Sequence, residues 1–226
     1  MRRPRLLDAY CCAGGASVGY ERAGFDVEGV ELNPRPDYPF KQYEGDAVAF
    51  IREHGHEYDV IVGSPPCQAH TTLTKGNRGR GWSDEHVDLI AATRDAMIEA
   101  DRPYVIENVM GARSQLVDPI MLCGLSFGLR VFRHRLFESN VLLTAPEHPS
   151  HKGHRVAGWR HGVKHEGDMV AVYGDGGGKG SVADWQAAMG IDWTADKVCL
   201  AEAIPPAYTE WVGTQLLAQM RGEVAA

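Results

Sequence analysis

The segment Tyr58 to Gln68, YDVIVGSPPCQ, constrains the fold more than any other in the chain. Its apolar, β-branched run has the make-up of a buried strand, and it stops abruptly at Gly63. Two prolines then stiffen the backbone immediately ahead of one thiol, Cys67. A strand buried on both faces belongs to a parallel sheet covered by helices. In such a sheet ligands bind beyond the carboxyl ends of the strands, so Cys67 is placed for chemistry rather than for packing.

The flanking sequence supplies the partner elements. Arg5 to Tyr10 reads as a first strand, followed by a glycine-bearing turn and an amphipathic helix in CCAGGASVGYERAGF, with Val18, Ala23 and Phe25 on the apolar side. Gly14 and Gly15 permit positive φ or close approach of a ligand to the backbone, although the full G-x-G-x-x-G pattern is absent. A second strand over Asp26 to Leu32 carries Glu31 near its end, where nucleotide-binding folds place a carboxylate on ribose hydroxyls. Asp46 reads either as the N-cap of a short helix or as an acceptor for a ligand amine. A long helix is expected from Ser83 or Asp84 to about Ala100. It leads into the strand YVIENV, which delivers Glu107 to the same sheet edge as Cys67. In VFRHRLFES the period of two predicts Arg133 and Arg135 on one face of a strand. Further helices are expected over 182–190, 197–203 and 207–220.

Two stretches suit a polyanion. In the loop after Cys67, Lys75, Arg78 and Arg80 alternate with Gly76, Gly79 and Gly81, joining mobility to phosphate affinity. From Ala145 to Lys164 basic and aromatic residues interleave, and Arg155, Trp159, Arg160 and Lys164 are the candidates for nucleic-acid contact. The net charge of -7 does not itself advertise nucleic acid, so such contact rests on local patches. Five cysteines without a repeating spacing suit free thiols in a reducing compartment. With no C-x-x-C pair, and no cysteine or acidic partner beside the histidine-rich stretch, no metal is expected. The absence of a signal peptide or long apolar span points to a cytoplasmic location.

In this order the motifs resemble those of the DNA (cytosine-5) methyltransferases. DAYCCAGGASVGYERAGF is similar to that family's first motif, GSPPCQ to its nucleophile motif, ENV to its glutamate motif, RHR to its paired arginines and EAIPPA to its last motif. The resemblance implies a Rossmann-like α/β fold, S-adenosylmethionine as methyl donor, double-stranded DNA as partner, and a monomer. It also implies Cys67 as nucleophile, Glu107 as the acid that activates the base, and Arg133 and Arg135 as the pair orienting cytosine and glutamate. The donor site would comprise Tyr10, Cys12, Ala13, Gly14, Gly15, Glu31, Leu32, Asp46, Pro66 and Glu202. Cys12 replaces a glycine of the family pattern, Val131 a polar residue and Glu202 an asparagine. Residues 1–144 are expected to form the catalytic core, with 145–188 a reduced target-recognition segment and 189–226 returning to the core. The rival readings are the same chemistry on RNA or on a free cytosine nucleotide or with a modified donor, a non-catalytic DNA-binding module, and a cysteine hydrolase using His70.

Overall fold

The computed structural model describes residues 2–66, 88–160, 163–174 and 180–222. Cys67, His70, Lys75, Arg78 and Arg80, and the start of the helix expected from Ser83 or Asp84, lie outside the described residues.

Four strands form the parallel centre of a seven-stranded sheet: β1 (Arg5–Ala9), β2 (Asp26–Glu31), β4 (Val60–Gly63) and β5 (Tyr104–Val109). The sheet is completed by β3 (Lys41–Glu44), β6 (Ile120–Leu122) and β7 (Arg135–Ser139), in the order β3-β2-β1-β4-β5-β7-β6. β7 runs antiparallel to both of its neighbours, and the pairs from β3 through β5 are parallel. The order reverses between β1 and β4. The ends of these two strands therefore open a crevice, with the glycine turn on one side and Ser64-Pro65-Pro66 on the other.

One face of the sheet is covered by α1 (Gly15–Ala23) and the C-terminal helix α6 (Pro206–Met220); the other carries α2 (Ala47–His54) and α3 (Ile90–Glu99). Two short helices, α4 (Val182–Met189) and α5 (Lys197–Glu202), lie between them in the chain. Gly19 allows α1 and α6 to approach closely, since a Cβ there would fall 2.0 Å from Thr209 Oγ1. The Thr209 hydroxyl uses that space to donate to Ala16 O at 2.8 Å.

A third apolar cluster joins Val131, Val170, Val172, Trp185, Ala188, Met189, Ile191 and Leu200. Val170, Val172 and the segment from Trp185 to Leu200 thus pack with Val131, just ahead of β7, while β8 (Gly158–Arg160) and β9 (Val163–His165) pair in a separate two-stranded sheet. No helix among the described residues is long and apolar enough to cross a membrane.

Candidate functional site

The glycine turn is shaped by backbone strain. Tyr10, Cys12 and Gly14 all take positive φ, of 62°, 45° and 84°. Only glycine does so without cost, and Gly14 also needs its missing side chain, since a Cβ there would lie 2.9 Å from Pro39 Cδ. The Tyr10 hydroxyl is held 2.7 Å from Thr93 Oγ1, and Trp193 Nε1 donates to Ala13 O at 2.7 Å. Glu31 closes the turn: its carboxylate accepts from Cys12 N and Leu32 N, each at 2.9 Å. Gly15 sits against the backbone of Ile204, so the chain after α5 forms part of the same wall.

Above this turn lie carboxylates. Asp46 caps α2 by accepting from Ala49 N at 2.8 Å, so the capping role is realised. Burial pushes Glu202 up; Arg35 opposes the shift, while Glu31 and Asp196 add to it. Leu32 and Pro66 are exposed at the rim.

Across the crevice, Glu107 is buried at the carboxyl end of β5. Desolvation pushes its carboxyl above the usual range, against the opposing pull of Arg135, Arg133 and a hydrogen bond from Ser64. Arg135 Nε lies 3.0 Å from Glu107 Oε1, but its N–H is not aimed at that oxygen. Glu107 Oε1 therefore has charge compensation and no hydrogen-bond donor among the described residues. Next to it, Asn108 ties the cysteine loop to β5. Its Nδ2 donates to Pro65 O at 3.0 Å and its Oδ1 accepts from Val109 N at 2.9 Å. The fixed point is two residues before Cys67.

The expectation for the arginine pair needs correction. β7 begins only at Arg135, and Arg133 precedes it with φ of 31°, so the two do not share a strand face. The Arg133 guanidinium donates to Ala203 O and Val172 O at 2.9 Å and to Ala201 O at 2.6 Å. It braces the wall behind the glycine turn, while Arg135 makes the close ion pair with Glu107 and Arg133 acts on that carboxyl through its charge.

Behind Glu107 is a small internal cavity that also meets Asp8, Tyr20, Ser64 and Thr209. Asp8 is fully buried, and burial pushes its carboxyl up to about 7, with the Ser17 hydroxyl hydrogen-bonded to it pulling the other way.

No protein-family model matches the sequence. Curated relatives are nevertheless found: the type II methyltransferase M1.HphI of Haemophilus parahaemolyticus, 29% identical over 119 residues, and M.NgoMIV of Neisseria gonorrhoeae, 32% identical over 123 residues. M.AgeI of Thalassovita gelatinovora is 26% identical over 211 residues, which is 76% of this chain. The first two matches cover 46% and 50% of the chain. The chain is thus similar, over about half or more of its length, to type II methyltransferases. It spans 32%, 36% and 47% of the lengths of these three proteins. Solved structures agree on the fold. Schizosaccharomyces pombe Dnmt2 superposes with a TM-score of 0.65 at 12% identity, over 96% of this chain and 99% of that one. Entamoeba histolytica EhMeth gives 0.62 at 12% identity, over the whole of both chains.

Sequence reading missed Asn108, Trp193 and Asp8. Asn108 stands inside the ENV motif and was available as a signal. Trp193 reaches Ala13 across 180 positions, a contact that no local pattern announces.

The expected nucleic-acid residues fall on and before the hairpin. Trp159 is 61% exposed and stands directly opposite Lys164 in the β8-β9 register. Lys164 already pairs with Glu166 at 2.9 Å. Arg155 is exposed, and its backbone N–H is tied to Asp168 at 2.9 Å.

Proposed function

We propose that this chain is an S-adenosylmethionine-dependent DNA (cytosine-5) methyltransferase that acts through a covalent adduct of Cys67 with a flipped cytosine. The observation that carries the reading is the buried Glu107 with its orphaned Oε1, on the strand whose next residue pins Pro65 ahead of the nucleophile motif. A buried carboxylate oxygen left without a donor is costly unless a ligand completes it.

The donor fits the residues present. Glu31, Asp46 and Glu202 place negative charge around a glycine turn, which disfavours the phosphates of a dinucleotide and favours a nucleoside carrying a cation. Glu31 would hold ribose hydroxyls, Asp46 the adenine amine, and Tyr10, Cys12, Ala13, Gly14, Gly15, Leu32 and Pro66 the remaining surface. When bound, the donor supplies an electrophilic methyl group on a sulfonium.

The protein's own part is to make carbon 5 of cytosine nucleophilic. Addition of the Cys67 thiolate to carbon 6 breaks the 5,6 double bond and sends its electron pair toward the ring. Glu107, held toward its protonated form by burial, donates to ring nitrogen 3 and accepts from the exocyclic amine, stabilising the charge that develops. Arg135 limits how far that carboxyl is raised and orients it. Once carbon 5 has taken the methyl group, with the thioether of the donor as leaving group, loss of the carbon 5 proton re-forms the double bond and expels the thiolate. The base must leave the duplex to reach Glu107, and the loop bearing Lys75, Arg78 and Arg80 is the segment assigned to fill behind it.

Arg155, Trp159, Arg160 and Lys164 are assigned to DNA contact. Replacing all four with alanine is expected to weaken duplex binding and flatten its salt dependence, by about 0.9 in the log-log slope for each phosphate that the protein ceases to neutralise. An unchanged slope in fluorescence anisotropy titrations would remove the hairpin from the interface. The reaction itself is tested by nucleoside mass spectrometry of DNA incubated with the protein and S-adenosylmethionine. 5-Methylcytosine is expected; N4-methylcytosine or N6-methyladenine would overturn the assignment, and a product confined to RNA or dCMP would replace the substrate.

A further inference from the structure

The histidine-rich stretch is read differently once the sheet is formed. β6 and β7 are antiparallel with Leu122 opposite Arg135, which brings Cys123 beside His134 across a short gap in the pairing. The chain then returns over this edge, and His148 and His151 come down onto it. One ligand atom from each of Cys123, His134, His148 and His151 lies within 4.8 Å of all the others. His134 Nε2 is 3.1 Å from His148 Nε2, and Cys123 Sγ is 3.4 Å from His151 Nε2.

The two closest of these distances are those of a coordination shell. With zinc–nitrogen bonds of about 2.0 Å and zinc–sulfur bonds of about 2.3 Å, a tetrahedron has edges of roughly 3.3 Å between nitrogens and roughly 3.5 Å between sulfur and nitrogen. Stacking alone does not explain the arrangement. The His134 and His151 rings lie nearly parallel at 5.1 Å, and Phe132 stacks on His151 at 4.2 Å, but ring stacking does not require four lone pairs to converge. Two facing Nε2 atoms can share only one hydrogen, and the sulfur and third imidazole face the same point. The Cys123 side chain is buried, and the backbone N–H groups of Leu125 and Ser126 are directed to its sulfur.

We propose that Cys123, His134, His148 and His151 form a structural zinc site that clips the segment before the β8-β9 hairpin to the β6-β7 edge. One thiolate and three imidazoles are borderline-soft ligands suited to zinc. Four protein ligands close the shell, as in structural rather than catalytic sites. His134 lies between Arg133 and Arg135, so the clip also fixes the chain where Arg135 meets Glu107. The expectation of no metal looked for a cysteine beside the histidines, whereas the required one is 25 residues upstream of His148 and reaches it only through strand pairing.

The test uses the full chain with any histidine tag removed, loaded with zinc and dialysed, then analysed by inductively coupled plasma mass spectrometry. About one zinc per chain is expected. Cobalt substitution should give the visible bands of a tetrahedral ion with a thiolate-to-cobalt charge-transfer band. Cys123→Ser should lose that band, and His148→Ala, at an exposed position, should lose or greatly weaken metal binding while remaining folded by circular dichroism. Chelation should lower the melting temperature of the parent protein and leave that of His148→Ala unchanged. Substoichiometric metal in the parent, a cobalt spectrum without the thiolate band, or full occupancy in either variant would overturn the proposal.

Discussion

Glu107→Gln is expected to reduce turnover by roughly 100-fold to 10,000-fold, the range associated with loss of a positioned general acid, while KM for DNA changes little. The amide is nearly the same shape and can still donate to ring nitrogen 3 and accept from the exocyclic amine, so the ground-state base is still held. It cannot transfer a proton as charge builds on the ring. Because burial alone raises the Glu107 carboxyl, removing that ionisable group should leave the melting temperature unchanged or higher. Steady-state kinetics with thermal melts on the same preparation check both parts. A variant that loses activity through a proportional rise in KM would assign Glu107 to binding alone.

The largest stability effect is expected away from the site, at Arg94→Ala. Glu138 is only 1% exposed, on β7 beneath α3, and Arg94 grips it with Nε to Oε1 at 2.6 Å and Nη2 to Oε2 at 2.7 Å. Val117 N donates to the same carboxylate at 2.9 Å. Taking away the guanidinium leaves a desolvated anion with too few donors, at a cost of about 3–5 kcal/mol. Replacing the pair together with Met and Leu should recover most of that loss, because the residual charge disappears. Urea unfolding midpoints measure both, provided the m-value is unchanged. A loss below about 1 kcal/mol for Arg94→Ala would place this pair with weak surface bridges.

Neither Arg94 nor Glu138 stands out in the sequence, and the reason is physical. Each lies in an element whose pattern was legible, but the charges meet only after α3 packs on the sheet, 44 residues apart in sequence. Strands β4 and β5 were readable because burial on both faces demands near-continuous apolar residues. β3, KQYE, was not, since an edge strand with polar residues carries no such signature. The arginine motif misled for a related reason. A period of two assumes extended backbone, and the chain bends at Arg133 before pairing begins at Arg135.

The donor turn was the most legible part of the candidate site, since glycines, a terminal carboxylate and a following helix are local features. Its outer wall was not legible. Trp193, Ile204 and the Arg133 carbonyl contacts come from segments whose own sequences say nothing of what they will cover. The zinc proposal belongs to the same class of information: ligands separated along the chain and joined by the antiparallel end of the sheet.

The central claim is that Cys67 attacks carbon 6 of a cytosine held by Glu107. Incubating the protein and S-adenosylmethionine with a duplex carrying 5-fluorocytosine at the methylated position tests it most directly, because fluorine at carbon 5 blocks release of the enzyme. A complex stable to denaturing electrophoresis is expected, with peptide mass spectrometry locating the base on Cys67, and none should form with Cys67→Ser. A covalent complex that persists in that variant, or methylation of ordinary DNA by it at the parent rate, would contradict the account.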